Sequence, residues 1–189
     1  MTDEQLDLLI DQWKREVEQH TREWAVPLRL PERGRPWQQG FSRQASPLES
    51  TAPLSLEQTP FRIRILESVL YAWSAVSCLV IPSLLMEKVG VDTRCPATGG
   101  EIKLFIAPEG IQSADPAGCV LSIAPPNYSA ARAPVGEPSS AIGANRVMRF
   151  FSSRQAASMW LIPYPDVKIL NLDEAWRLVE AAFKVDYEY

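Results

Sequence analysis

A chain of 189 residues, 46% of them hydrophobic, is long enough for one domain with a substantial core and too short for two full-sized ones. A formal charge of -4, from 23 acidic and 19 scattered basic residues, argues against nucleic-acid binding as a primary role, since no basic stripe is present to meet phosphates. The single histidine, His20, excludes a multi-histidine metal centre, and three cysteines without a Cys-x-x-Cys pair argue against a zinc ribbon or a disulfide-stapled scaffold.

Asp3 to Trp24 reads as an amphipathic helix, with Leu6, Leu9, Ile10, Trp13, Val17 and Trp24 at helical spacing and Thr2 or Asp3 as its cap. The N-terminus lacks the basic-then-apolar layout of a secretory signal. The longest apolar run, Ala72 to Met86, is broken by Ser74, Ser77, Pro82 and Ser83, so no membrane span is expected. A cytoplasmic protein is the expectation. From Pro27 to Pro60, prolines interrupt every potential element, which predicts an extended connector or wrapping arm with Trp37 and Phe41 as anchors. The predicted division is a helix and arm over 1–60 and the main domain over 61–189.

Phe61 to Ile65 predicts a short strand or the lead into a helix. Leu66 to Val80 is apolar on almost all sides and predicts a central buried helix, ended or kinked at Pro82. Strand-like runs follow at Val89–Thr93, Glu101–Ala107, Gly118–Ala124 and Arg146–Phe151, separated by turn signals short enough to require antiparallel pairing. The stretch 125–143 reads as a long loop, either a lid or disordered. Ser152 or Ser153 would cap a helix from Arg154 to Leu161, and Asn171 to Glu174 has the spacing of a capping box for a last helix to about Lys184. The fold class is α+β: a small antiparallel sheet packed with helices.

Several stretches form a joint pattern: Tyr71-Ala72-Trp73-Ser74-Ala75-Val76-Ser77-Cys78, Cys95-Pro96-Ala97-Thr98-Gly99-Gly100, Pro116-Ala117-Gly118, Phe150-Phe151 and Glu174-Ala175. From about Leu66 to Leu178 the chain resembles the organomercurial (alkylmercury) lyase family. The resemblance implies a chemistry in which two cysteine thiolates capture mercury and a carboxylate delivers a proton to the departing carbon. At the positions implied for the first cysteine and the carboxylate, this chain has Ser74 and Ser77. The second cysteine, five residues before the paired phenylalanines, is matched by Asn145. None of the three is kept, so the resemblance implies the scaffold without its carbon–mercury chemistry. Where the family usually begins with a small winged-helix-like module, a single helix and the proline-rich arm stand here.

On the predicted helix, Glu67, Tyr71 and Ser74 would share one stripe, with Glu67 a buried acid or base or, alternatively, half of a helix-end salt bridge. Ser74 and Ser77 are candidates for nucleophile and polar contact, but no histidine is at hand as base. The plainer reading makes them small polar residues bonded to the preceding turn. Tyr71 and Trp73 are candidates for facing a ligand; two apart on a helix, they cannot share a face. Arg146 and Arg149, an odd separation in a strand, would point to opposite faces. One of them could then fix a carboxylate or stabilise an enolate, against the plainer reading of a solvated strand face. Cys78 and Cys95 could form a two-sulfur soft-metal site, against the tendency of free cysteine to act as a small buried hydrophobe. Gly99-Gly100 reads as a hairpin turn, and no cofactor motif is present.

Two functions emerge. One is a small-molecule enzyme on a repurposed lyase scaffold, performing proton transfer in an isomerisation, elimination or cyclisation, as in a biosynthetic pathway. The other is a non-catalytic binder of a soft metal or organometal, or a degenerate partner subunit, with a homodimer formed through the N-terminal helix.

Overall fold

The computed structural model describes residues 1–24, 54–55, 58–126, 128 and 141–183. The predicted arm over 27–53, with Trp37 and Phe41, and most of the loop predicted over 125–143 lie outside the described residues.

Helix α1 (Asp3–Trp24) forms where its periodicity predicts, and buries Leu6, Leu9, Ile10 and Trp13. Thr2 and Gln5 cap it reciprocally: the Gln5 N–H donates to Thr2 Oγ1 at 3.3 Å, and the Thr2 N–H to Gln5 Oε1 at 3.2 Å. This satisfies donors that the first turn would otherwise leave unpaired. The buried stripe rests on the last helix, α5 (Leu172–Phe183), with the rings of Trp13 and Phe183 5.6 Å apart. Arg177 of α5 bridges to Asp3 and Asp7 along the rim.

Six strands form one antiparallel sheet: β1 (Leu54–Ser55), β2 (Phe61–Ile65), β3 (Ser68–Ala72), β4 (Val89–Arg94), β5 (Glu101–Ala107) and β6 (Gly110–Asp115), in the order β1-β3-β2-β4-β5-β6. Three more, β7 (Val120–Ile123), β8 (Phe150–Phe151) and β9 (Lys168–Asn171), form a second sheet in the order β8-β7-β9. Helices α2 (Ala75–Leu85), α3 (Ala141–Val147), α4 (Arg154–Trp160) and α5 complete the α+β fold. Among the described residues no helix is long and apolar enough to cross a membrane.

The predicted helix over Leu66–Val80 is overturned in its first half. Leu66, at φ 51°, and Glu67 form a tight turn, and Ser68–Ala72 returns as β3 in full register with β2, from Ile65↔Ser68 to Phe61↔Ala72. Ile63, Ile65, Leu70 and Ala72 face the core, whereas Arg62, Arg64 and Val69 face outward. A short apolar run has no periodicity that separates a strand from a buried helix, and β2 supplied the partner that decided it.

The true helix, α2, starts at Ala75 behind the cap Ser74 and is buried on nearly every side, against the larger sheet, β7 and α5. Pro82 does not end it: the helix runs on to Leu85, and the Met86 N–H at its left-handed cap bonds the Pro82 carbonyl. A proline costs one internal bond, here the one the Cys78 carbonyl would have accepted, and the burial of Leu79, Ile81 and Leu85 holds the helix through it.

Other expectations shift too. The strand predicted over Arg146–Phe151 is confined to Phe150–Phe151; Arg146 lies in α3. The strand predicted over Gly118–Ala124 is Val120–Ile123. Strands β6 and β9 carry too much polar sequence at sheet edges to announce themselves. Ser153 caps α4, and the Asn171–Glu174 capping box closes reciprocally with two bonds of 2.8 Å.

Candidate functional site

The first turn of α2 organises the site. Ser74 has extended backbone geometry (φ -149°, ψ 168°), and its Oγ accepts the Ser77 N–H at 3.1 Å. The two hydroxyl oxygens lie 3.0 Å apart. Ser74 is buried and Ser77 half-buried. The next free N–H of the turn, that of Ala75, donates to the Met148 carbonyl at 3.0 Å. This bond ties the turn to the segment leading out of α3, the helix that carries the half-buried Asn145.

Cys78 lies one turn further on and is fully buried. The Ser74 carbonyl accepts both its N–H (3.2 Å) and its S–H (3.3 Å). Burial pushes the thiol far above its usual range, more than its backbone hydrogen bond and the nearby Arg149 charge restore. It therefore sits in the core as a neutral, hydrogen-bonded small hydrophobe.

Arg149 follows Met148, and its charge acts on the Cys78 thiol. Its backbone is clamped by Ser122, which is wholly buried: the Arg149 N–H donates to Ser122 Oγ at 2.9 Å, and the Ser122 N–H donates to the Arg149 carbonyl at 2.9 Å. Its guanidinium carbon lies 5.0 Å from the centroid of the Phe61 ring, a cation–π geometry. Burial, then the neighbouring charge of Arg146, draws its pKa below the ordinary value. Among the described residues no carboxylate forms an ion pair with it.

A second polar cluster surrounds Cys95, which begins the turn to Gly100: its N–H donates to the Gly100 carbonyl and its carbonyl accepts the Gly99 N–H, each at 2.8 Å. The Ser152 hydroxyl donates to Cys95 Sγ at 3.6 Å. Burial alone would raise this thiol, but hydrogen bonds from the Thr98 side chain and from Ser152 outweigh it and lower the pKa to about 7. Cys119 precedes Val120, whose partner across the sheet is Phe151, so it lies in register beside Ser152. Burial, and then the charge of Cys95, push Cys119 up to about 12.

The structure thus separates residues that the sequence grouped. Glu67 is exposed in the β2–β3 turn, and Tyr71, in β3, alternates with the core-facing Leu70 and Ala72 in register with Arg62. Neither shares a stripe with Ser74, because the segment carrying them is a hairpin. Trp73 links β3 to α2; its indole N–H is buried with no partner among the described residues. Arg146 is exposed at the end of α3, three residues before Arg149, so the two are not opposite faces of one strand. Cys78 engages Ser74 and Arg149, whereas Cys95 engages Thr98, Ser152 and Cys119. Among the described residues no group of three or more His, Cys, Asp or Glu side chains could hold a metal.

Sequence reasoning missed Phe61, Ser122, Cys119 and Ser152. Ser122 had one weak signal, a lone polar residue inside the apolar run Val120–Ile123. An open cleft lined by Tyr128, Pro163, Tyr164, Pro165 and Asp166 contains none of the candidate residues.

Three comparisons bear on this arrangement. A family model described as "MerB: Alkylmercury lyase" matches residues 54–184. The alkylmercury lyase of Bacillus cereus is 34% identical over 126 residues, which cover 66% of this chain and 54% of that protein. That of Pseudomonas putida is 29% identical over 125 residues, covering 66% and 55%. The chain therefore spans about half the length of the curated relatives it matches. Among solved structures, the mercury-bound form of MerB2 aligns with a TM-score of 0.56 and 25% identity, over 70% of this chain and 61% of that one.

Proposed function

Because the chain belongs to the alkylmercury lyase family, we propose that it is a member that does not cleave carbon–mercury bonds and instead takes a small organic molecule at the Ser74–Ser77 turn. The observation that carries this reading is the pairing of the two serines, 3.0 Å apart, where the family resemblance puts a thiolate and a proton-donating carboxylate. Hydroxyl oxygens are poor ligands for a soft cation, and a serine pair contains no acid to protonate a departing carbanion. The thiol on the next turn, Cys78, is held protonated by burial.

The reaction class that suits the remaining groups is proton transfer in an isomerisation, elimination or cyclisation. Developing negative charge on the substrate would face the Arg149 guanidinium, and the paired hydroxyls would orient a substrate oxygen. Glu67 and Tyr71 take no part in this version. With Cys95 and Cys119 beside Ser152, a second reading, a soft-metal binder, is better served by those two sulfurs than by Cys78.

The test is release of benzene from phenylmercury acetate in excess thiol. No release above the buffer rate is expected, and turnover by the unmodified protein would overturn the proposal. The combined replacement Ser74→Cys, Ser77→Asp and Asn145→Cys is expected to create measurable release.

A further inference from the structure

We propose that Arg149 is an anion anchor, so that the ligand taken at the Ser74–Ser77 turn carries a carboxylate on an apolar body. The inference rests on the preceding reading that a small molecule binds at this turn, and adds the chemical class of that molecule.

Arg149 is held at both ends before any ligand arrives. Ser122 fixes its backbone through the N–H and the carbonyl, and Phe61 supports its guanidinium from one side at 5.0 Å. Phe61 is itself fully buried and meets Phe150 edge-on, with ring centroids 6.2 Å apart. A guanidinium immobilised in this way loses little further freedom when an acceptor docks on its fork.

Among the described residues no carboxylate compensates the charge. A guanidinium stays protonated in proteins, so partial burial exacts a desolvation cost that an ion pair normally offsets. Here the charged neighbour is another cation, Arg146, and the nearby Cys78 thiol is neutral. Among the described residues no acid pairs with Arg149, and the first turn of α2 carries none. Met148, one residue before Arg149, accepts the Ala75 N–H, which ties the backbone of the arginine segment to the start of α2, and the Arg149 charge reaches Cys78 one turn further along that helix. The buried indole N–H of Trp73, adjacent to Ser74, is a further donor without an acceptor among the described residues.

Among the described residues the site is therefore rich in donors and poor in anionic acceptors, which favours a ligand that brings acceptor oxygens and negative charge. A carboxylate fits better than a phosphate: its two coplanar oxygens match the guanidinium fork, and one supported cation balances one negative charge rather than two. The rings next to the guanidinium, Phe61 and behind it Phe150, are apolar and buried, which favours an apolar or aromatic remainder on the ligand.

The experiment compares matched acids and amides on the full chain by isothermal titration: benzoate with benzamide, and phenylacetate with phenylacetamide. The acids are expected to bind about ten- to a hundredfold more tightly than the amides, the range for losing a hydrogen bond to a charged group. Arg149→Met, which keeps the apolar stem, is expected to erase the difference, and Arg149→Lys to restore part of it; the unfolding curve of each variant checks that it folds. Equal binding of acid and amide, no binding of either acid, or full acid affinity in a folded Arg149→Met protein overturns the proposal. Ser77→Ala separates the anchor from the turn: weakened acid binding supports both. Acid binding that needs Arg149 and ignores Ser77 overturns the placement at the turn, whatever the outcome of the benzene assay.

Discussion

Ser74 and Ser77 complete each other: Ser74 Oγ accepts the Ser77 N–H at 3.1 Å, and the Ser77 hydroxyl lies 3.0 Å from the same oxygen. The first serine is thus a helix cap as well as a candidate site residue, and its two roles can be separated by mutation. Ser74→Ala removes the cap of a buried helix and is expected to cost about 1–2 kcal/mol, read from urea denaturation. Ser77→Ala keeps the cap and is expected to cost under about 1 kcal/mol. Equal losses would show that Oγ of Ser74 does not cap α2.

Glu67 and Tyr71 provide the converse case. Glu67 is exposed in a turn and Tyr71 belongs to the face of β3 opposite the core. Glu67→Gln and Tyr71→Phe are each expected to change stability by less than about 0.5 kcal/mol and to leave acid binding unchanged. A large loss of ligand affinity in either variant would put these residues back beside Ser74.

The reason they were grouped at all is physical. A helix and a hairpin compete for any short run that is apolar throughout, and the deciding term is the partner strand, which is remote information for a local pattern. Where local chemistry decides, the sequence was legible. The Thr2 and Asn171 caps fixed the starts of α1 and α5, and the amphipathic stripe of α1 named its buried residues. The Ser74–Ser77 relation was legible as spacing. By contrast, Arg149 against Phe61 joins residues 88 positions apart through β8 and β2, a contact that no spacing rule contains.

The contact between Trp13 and Phe183, 5.6 Å between ring centroids, makes a further test of tertiary packing. Trp13 is 7% exposed and its indole N–H has no partner among the described residues, so its contribution is apolar. Trp13→Ala is expected to destabilise by about 3–5 kcal/mol, and Trp13→Phe by much less because it keeps most of the ring contact without a polar atom to bury. Unfolding that starts at the same urea concentration in Trp13→Ala and the unmodified chain would mean that α1 does not share the core.

The three thiols should give stability an unusual pH profile. Cys95 has a folded pKa of about 7 against an ordinary 9.0. The folded state therefore releases this proton first, and stability is gained as pH rises from about 7 to 9 and lost again as pH falls through 7. Cys119, pushed up to about 12, and Cys78, pushed up further by burial, act in the opposite sense. Their contribution is complete below pH 9 and is lost above it, because the unfolded chain ionises while the folded one keeps its protons. The expected outcome is a maximum near pH 9. Denaturation from pH 6 to 11 should show a rise on the order of 1 kcal/mol between pH 7 and 9 that is missing in Cys95→Ala, and an alkaline fall that is shallower in Cys119→Ala. A Cys95→Ala profile parallel to that of the unmodified chain between pH 7 and 9 would mean that the Thr98 and Ser152 hydrogen bonds do not stabilise the Cys95 thiolate.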